Sequence, residues 1–119
     1  MNYCSEHDEV VRTVRLYTEG CRLGNSSIME PAFSPLATMS GPAENKMCTV
    51  PIKALFETVD KLGEATGTES RIDVLALGKD IAVVRVTIQN WHGLSFTDYH
   101  SLIKNEKGWQ IISKIFETN

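Results

Sequence analysis

What the chain lacks narrows its function before any motif is read. Cysteine occurs only three times, at Cys4, Cys21 and Cys48, an odd number without metal-ligand spacing. That pattern fits reduced thiols in a cytosolic protein and argues against a zinc site, so no metal is expected. Basic residues are not in excess: the net charge is −3 and no Lys/Arg run appears, which argues against nucleic acid as a partner. No apolar stretch approaches the ~18 residues of a membrane span, and Met1 to Val10 is polar and acidic, unlike a signal peptide. The expectation is a cytoplasmic protein with no membrane partner. There is no glycine-rich phosphate loop, no Gly-x-Ser-x-Gly and no His-x-x-x-His, so the cofactor expectation is none.

What is present describes one compact domain, residues 1–119, with 42% apolar and 23% charged residues. Val10, Val14, Tyr17 and Cys21 recur at steps of three and four after Ser5 and Asp8, which predicts an amphipathic helix with a capping box and a stop at Gly24. Tyr17 therefore faces inward. A short second helix is predicted from Ser26 to Phe33, disturbed by Pro31. A small hairpin follows, from Ala37–Gly41 and Lys46–Thr49. A third helix carries Leu55, Phe56, Val59 and Leu62 from a Thr49 cap to Gly63.

The C-terminal half, from Arg71 to Phe116, reads as a four-stranded antiparallel meander turned at Gly78-Lys79-Asp80, His92-Gly93 and Glu106-Lys107-Gly108. Counting back from tight turns, Trp91 faces Leu94, Val86 faces Tyr99, and Arg85 faces His100. In the same way Lys104 faces Trp109, Tyr99 faces Lys114, and Asp73 faces Arg85. This register gathers Val84, Val86, Ile88, Tyr99, Ser101, Lys114 and Phe116 on one face. Arg85, Asp98, His100, Leu102, Trp109 and Ile111 fall on the other. A slip of one residue exchanges the faces of a strand. The second face mixes charge with large apolar groups, so both faces are expected to be covered, one by the helices and the other by a second subunit.

The segments Tyr17-Thr18-Glu19-Gly20, Leu23-Gly24-Asn25, Ala32-Phe33-Ser34-Pro35, Phe96-Thr97-Asp98-Tyr99, Gly108-Trp109-Gln110-Ile111 and Lys114-Ile115-Phe116 resemble, in order and spacing, the NTF2-like or SnoaL-like superfamily. Within it they resemble the group named putative lumazine-binding proteins. The resemblance implies a cone-shaped, cystatin-like α+β fold, with N-terminal helices packed on a strongly curved antiparallel sheet that encloses a pocket. It also implies a sheet-to-sheet homodimer. Such folds host isomerases, cyclases, dehydratases and transport factors alike. Beside ketosteroid isomerase, Tyr17 matches the helix-one tyrosine, whereas ungapped counting puts Gly41 at the base position and Tyr99 at the sheet-acid position.

The candidate ligand-binding residues are Tyr17, Tyr99, Ser101, Lys114 and Phe116. Tyr17 and Tyr99 are candidates to donate to a carbonyl or enolate oxygen, against an ordinary role as buried tyrosines. Lys114 on an apolar face is a candidate for binding an anionic group or for Schiff-base chemistry, against a place at the rim with its ammonium in water. Asp98, His100 and Arg85 form either an acid–base cluster or an interface salt-bridge network. The leading functional reading is a small-molecule-binding protein with a mainly apolar pocket. The alternatives are a cofactor-independent isomerase, cyclase or dehydratase, and a structural dimerisation module.

Overall fold

The computed structural model describes residues 1–119. Three helices, α1 (Tyr3–Leu23), α2 (Ser26–Met29) and α3 (Lys53–Leu62), are combined with six strands. The strands are β1 (Phe33–Ala43), β2 (Lys46–Pro51), β3 (Glu69–Leu77), β4 (Ile81–Trp91), β5 (Leu94–Asn105) and β6 (Gly108–Thr118). They form one curved sheet in the order β2-β1-β6-β5-β4-β3, antiparallel except where β1 runs parallel to β6. The class is α+β, as expected, and the C-terminal meander is present as β3 to β6. No helix is long and apolar enough to cross a membrane.

Helix α1 forms where the spacing predicts it, and Val10, Val14, Tyr17 and Cys21 are its buried stripe. Its cap differs from the expected Ser5–Asp8 box: the Asn2 side chain accepts from the Ser5 amide at 3.1 Å. The helix stops at Gly24, whose φ of +65° suits glycine. Two indoles tie it to the sheet. Trp91 Nε1 donates to the Cys21 carbonyl at 3.1 Å near the C-terminal end, and Trp109 Nε1 donates to Glu6 Oε2 at 2.7 Å in the first turn.

The expected second helix is one α-turn continued by a 3₁₀ turn, Glu30–Ala32, because Pro31 supplies no amide for an i−4 bond. The hairpin is longer than its turn-rich sequence suggests, with Glu44 and Asn45 as a two-residue turn in which both φ values are positive. Thr49 does not cap α3. It lies in β2 opposite Ser40, and α3 begins after Ile52. Leu55 and Val59 are the buried members of the α3 stripe, while Leu62 is exposed.

The register departs from the simple count at three bulges. Trp91 does pair with Leu94, but Gln89 and Asn90 together oppose Ser95, with Asn90 at φ +60°. The extra residue shifts the rest of β5 by one, so that Val86 pairs with Asp98 and Arg85 with Tyr99. In β6 Lys104 pairs with Trp109, but Ile112 bulges between Ile111 and Ser113, bringing Lys114 opposite His100. Leu75 bulges in β3, beyond the Asp73–Arg85 and Val74–Val84 pairs that the count gives. Two rows therefore cross the concave face: Val84, His100, Lys114 and Met39, and beside it Val86, Asp98 and Phe116.

Candidate functional site

The concave rows meet α1 at a buried polar cluster inside an apolar core. The Tyr17 hydroxyl donates to Asp98 Oδ2 at 2.5 Å, a distance typical of an O–H donor on an ionised carboxylate. His100 Nε2 lies 3.4 Å from the same oxygen, and its ring packs on that of Tyr17 with centroids 4.9 Å apart. Asp98 is 1% exposed and His100 is fully buried. Since a carboxylate only accepts, the shared proton of that contact belongs to Nε2, leaving His100 Nδ1 as an acceptor. Neither Nδ1 nor Asp98 Oδ1 has a hydrogen-bond partner in the protein. Each such buried group carries a penalty of ~1–3 kcal/mol, of a kind that concentrates at functional sites.

Lys114 completes the cluster. It is 5% exposed, makes no ion pair, and its amine has one hydrogen-bonding contact, Met39 Sδ at 3.5 Å. Nζ lies 4.2 Å from the Phe116 ring centroid and 5.7 Å from that of Tyr17. Beside it opens a cavity of about 240 Å³, walled by Tyr17 and Cys21 of α1, Leu55 of α3, Trp91 of β4, and Lys114 and Phe116 of β6. Pro42, Ala43 and Thr58, which also line it, are solvent-exposed and mark its mouth between β1 and α3.

The environment sets the protonation states. Burial pushes the Asp98 carboxyl up, but the Lys114 charge and the hydrogen bonds from His100 and Tyr17 outweigh it and hold the group below its ordinary range. Burial lowers His100, with the Asp98 hydrogen bond opposing, so the imidazole is neutral. Burial also lowers the Lys114 amine, with the Asp98 charge opposing. Burial, then the Asp98 charge, raises the Tyr17 hydroxyl far above its usual range. The Cys21 thiol is pushed up to about 12, chiefly by burial, and is not a nucleophile at neutral pH. The site thus joins a carboxylate, a neutral imidazole and a phenol behind a cavity wall that also bears an amine. Those are the parts of acid–base chemistry. No three His, Cys, Asp or Glu side chains come together as a metal cage.

The expected site residues separate accordingly. Tyr17, Lys114 and Phe116 line the cavity. Tyr99 and Ser101 do not, because the Asn90 bulge turns them to the convex face, where Tyr99 pairs with Arg85 and Ile115. Arg85 is on that face too, bonded to Asp73 at 3.4 Å and so parted from Asp98 and His100. The expected Asp98–His100–Arg85 cluster is therefore replaced by Asp98 and His100 with Tyr17 and Lys114. Met39 of β1 also forms part of the cavity wall. Trp91 and Phe96 are wall residues that strand counting missed. Their aromatic bulk close to the His92-Gly93 turn was the available signal.

Comparison with known proteins follows the same lines. Residues 5–117 match the family described as "Putative lumazine-binding". Aldolase FrzH from Cladobotryum sp. is 29% identical over 115 residues, which span 96% of this chain and 92% of that protein. The crystal structure of an NTF2-like protein of unknown function from Shewanella baltica OS155 superposes with a TM-score of 0.93 at 32% identity, over 100% of this chain and 98% of that one. A second NTF2-like protein of unknown function, from Methylobacillus flagellatus KT, gives a TM-score of 0.88 at 28% identity over 97% and 93% of the two chains.

Proposed function

The chain belongs to the NTF2-like family described as putative lumazine-binding, and from that premise we propose that it binds a compact carbonyl compound and, without a cofactor, moves a proton on the carbon beside the carbonyl. One observation carries the reading: Tyr17, a wall residue of the apolar cavity, hands its hydroxyl to a buried Asp98 that also contacts His100, with Lys114 on the same wall. Removing an α-proton needs a base and a group that meets the charge developing on oxygen. A positioned base contributes about 10²–10⁴-fold and a fixed electrostatic partner ~3–4 kcal/mol. Asp98 is the terminal base, reached through Tyr17: the phenol oxygen accepts the substrate proton as its own passes to the carboxylate. Lys114 is the group that meets the carbonyl.

Two further observations support enzyme chemistry over simple binding. Binding alone needs shape and a few fixed polar groups, not an ionised carboxylate buried with two unpartnered polar atoms behind the wall. The similar protein FrzH is named an aldolase, a name for carbon–carbon bond chemistry beside a carbonyl. A purely structural module has no use for an open cavity. For partners, we propose the small molecule in the cavity and a second copy of this chain on the convex sheet face, where Val83, Tyr99 and Ile115 stand exposed.

The test is solvent-deuterium exchange. Small ketones, aldehydes and 1,3-dicarbonyls are incubated with the protein in D₂O and their α-protons followed by NMR. Exchange that is lost in Asp98→Asn is the expected result. Binding with no exchange would return the protein to a carrier role, and neither binding nor exchange across the panel would overturn the carbonyl reading.

A further inference from the structure

Lys114 stands apart from the other six lysines of the chain, Lys46, Lys53, Lys61, Lys79, Lys104 and Lys107, all of which are exposed. It sits on β6, in the interior of the sheet, held in register between Met39 of β1 and His100 of β5. The backbone on both sides is paired, so the amine cannot reach water by a local shift of the strand. Around Nζ are a thioether at 3.5 Å and an aromatic face at 4.2 Å, with no carboxylate in ion-pair contact. A lysine kept only for charge would be expected to hold a carboxylate directly, as Lys104 holds Glu6 at the surface. A thioether is a poor substitute for hydration, and it leaves the nitrogen lone pair uncommitted once a proton departs.

We propose that Lys114 is a covalent nucleophile, condensing with the carbonyl carbon of a small aldehyde or ketone in the cavity to form a Schiff base. This rests on the reading of the cavity as a carbonyl site and adds the bond by which the carbonyl is held. Starting from the ammonium, one proton passes to the carbonyl oxygen as the N–C bond forms, giving a carbinolamine. The second leaves with that oxygen, as water, when the C–O bond breaks. Ammonium plus carbonyl thus becomes iminium plus one water, with the positive charge conserved. The charge of Asp98, which favours the Lys114 cation, serves the iminium equally. Loss of the α-proton through Tyr17 to Asp98 then moves the C–H electron pair into the neutral enamine. Burial favours the uncharged amine that begins the attack.

Reductive trapping tests the step on the intact protein. Butanal and sodium cyanoborohydride are added at neutral pH, and butylated lysines are located by peptide mass spectrometry. The expected result is a single early adduct on Lys114, formed before any exposed lysine is labelled, because burial favours its uncharged amine. Lys114→Arg, which keeps the cation but cannot condense, should lose the early adduct. Modification of the exposed lysines with Lys114 left unlabelled would overturn the proposal. Deuterium exchange retained in Lys114→Arg would also overturn it while leaving the acid–base reading intact. Trapping at Lys114 in a protein that exchanges no α-proton would uphold the nucleophile and sink only the wider reading.

Discussion

Tyr17 and Asp98, 81 residues apart in the chain, share a 2.5 Å hydrogen bond that joins the first helix to the sheet at the wall of the cavity. The bond is buried at both ends, so the carboxylate keeps its charge only while its donors stay in place. Helix position and strand register must therefore both be right for the site to exist. Trp91 and Trp109 secure the helix at either end of this contact.

Tyr17→Phe keeps the ring packing on His100 and Phe33 and removes one donor to Asp98. Losing a partner of a buried charged group is expected to destabilise the fold by ~1–3 kcal/mol. The Asp98 carboxyl should titrate higher as well. Urea denaturation at neutral pH measures the first effect and carboxyl NMR the second. A variant as stable as the parent would mean that Asp98 is satisfied from elsewhere.

Lys114 and Asp98 favour each other's charged states without touching. Lys114→Met alone should lower stability by about 1–3 kcal/mol, the scale of a buried polar group left uncompensated, because the carboxylate loses the cation that offsets its burial. Adding Asp98→Asn should recover most of that loss, giving a coupling energy above ~1 kcal/mol in a double-mutant cycle. Additive losses would show that the two groups do not sense one another.

The pH dependence of stability follows from His100 and Asp98, with the signs worked separately. His100 has a folded pKa below its ordinary 6.5, so as pH falls through 6.5 the unfolded chain takes a proton that the fold refuses. Stability therefore declines below pH 6.5, with a slope of at most ~1.4 kcal/mol per pH unit for this group. Asp98 is likewise held below 3.8, so its contribution is present above that value and is lost as pH falls through the lower folded one. His100→Gln should flatten the first window and spare the second. Urea midpoints from about pH 3 to 8 give the comparison, and an unchanged slope near pH 6 in the variant would assign that window elsewhere.

The helices and the meander were legible in the sequence because each announces itself locally. The three- and four-residue steps from Val10 to Cys21 and the glycines at 24 and 63 need no tertiary information. The pairing of β1 with β6 carried no such signal, since it joins segments distant in the chain. The site depended on register, and register on bulges. At Asn90 one extra residue turns Asp98 and His100 inward and Tyr99 outward, while at Ile112 a second restores the inward phase. Lys114 and Phe116 thus lie on the expected face although the strand beside them is inverted. The Ile111-Ile112 doublet, which breaks the alternation of β6, was the visible trace of that bulge.

The convex face yields a prediction about assembly. The row of Arg85, Tyr99 and Ile115 crosses its centre with Tyr99 and Ile115 exposed. In the proposed dimer a second copy covers this face and removes them from water. Ile115→Glu should then convert a dimer to monomer in size-exclusion chromatography with light scattering, with cavity chemistry retained per chain. A parent protein that is already monomeric at micromolar concentration would remove the basis for this surface.

Gly41, the position that ungapped counting aligns with the catalytic base of ketosteroid isomerase, supplies no side chain here, and the structure gives the reason. A Cβ built at Gly41 would stand 2.1 Å from Cε1 of the Phe116 ring, so the ring occupies the space that a base would need. Phe116 is also the face over which Lys114 Nζ sits, at 4.2 Å. Gly41→Ala must therefore push the ring toward the cavity, altering the surroundings of the amine along with the packing. The expected loss is about 1–3 kcal/mol of stability, as for other overpacked cores. Binding or exchange of the small carbonyl probes should weaken with it. Gly41→Asp should be worse still, burying a carboxylate against the Phe116 ring, and should fail to raise exchange. Increased exchange in that variant would show that the ring yields and that a base can work from β1, displacing Asp98 from the role proposed for it.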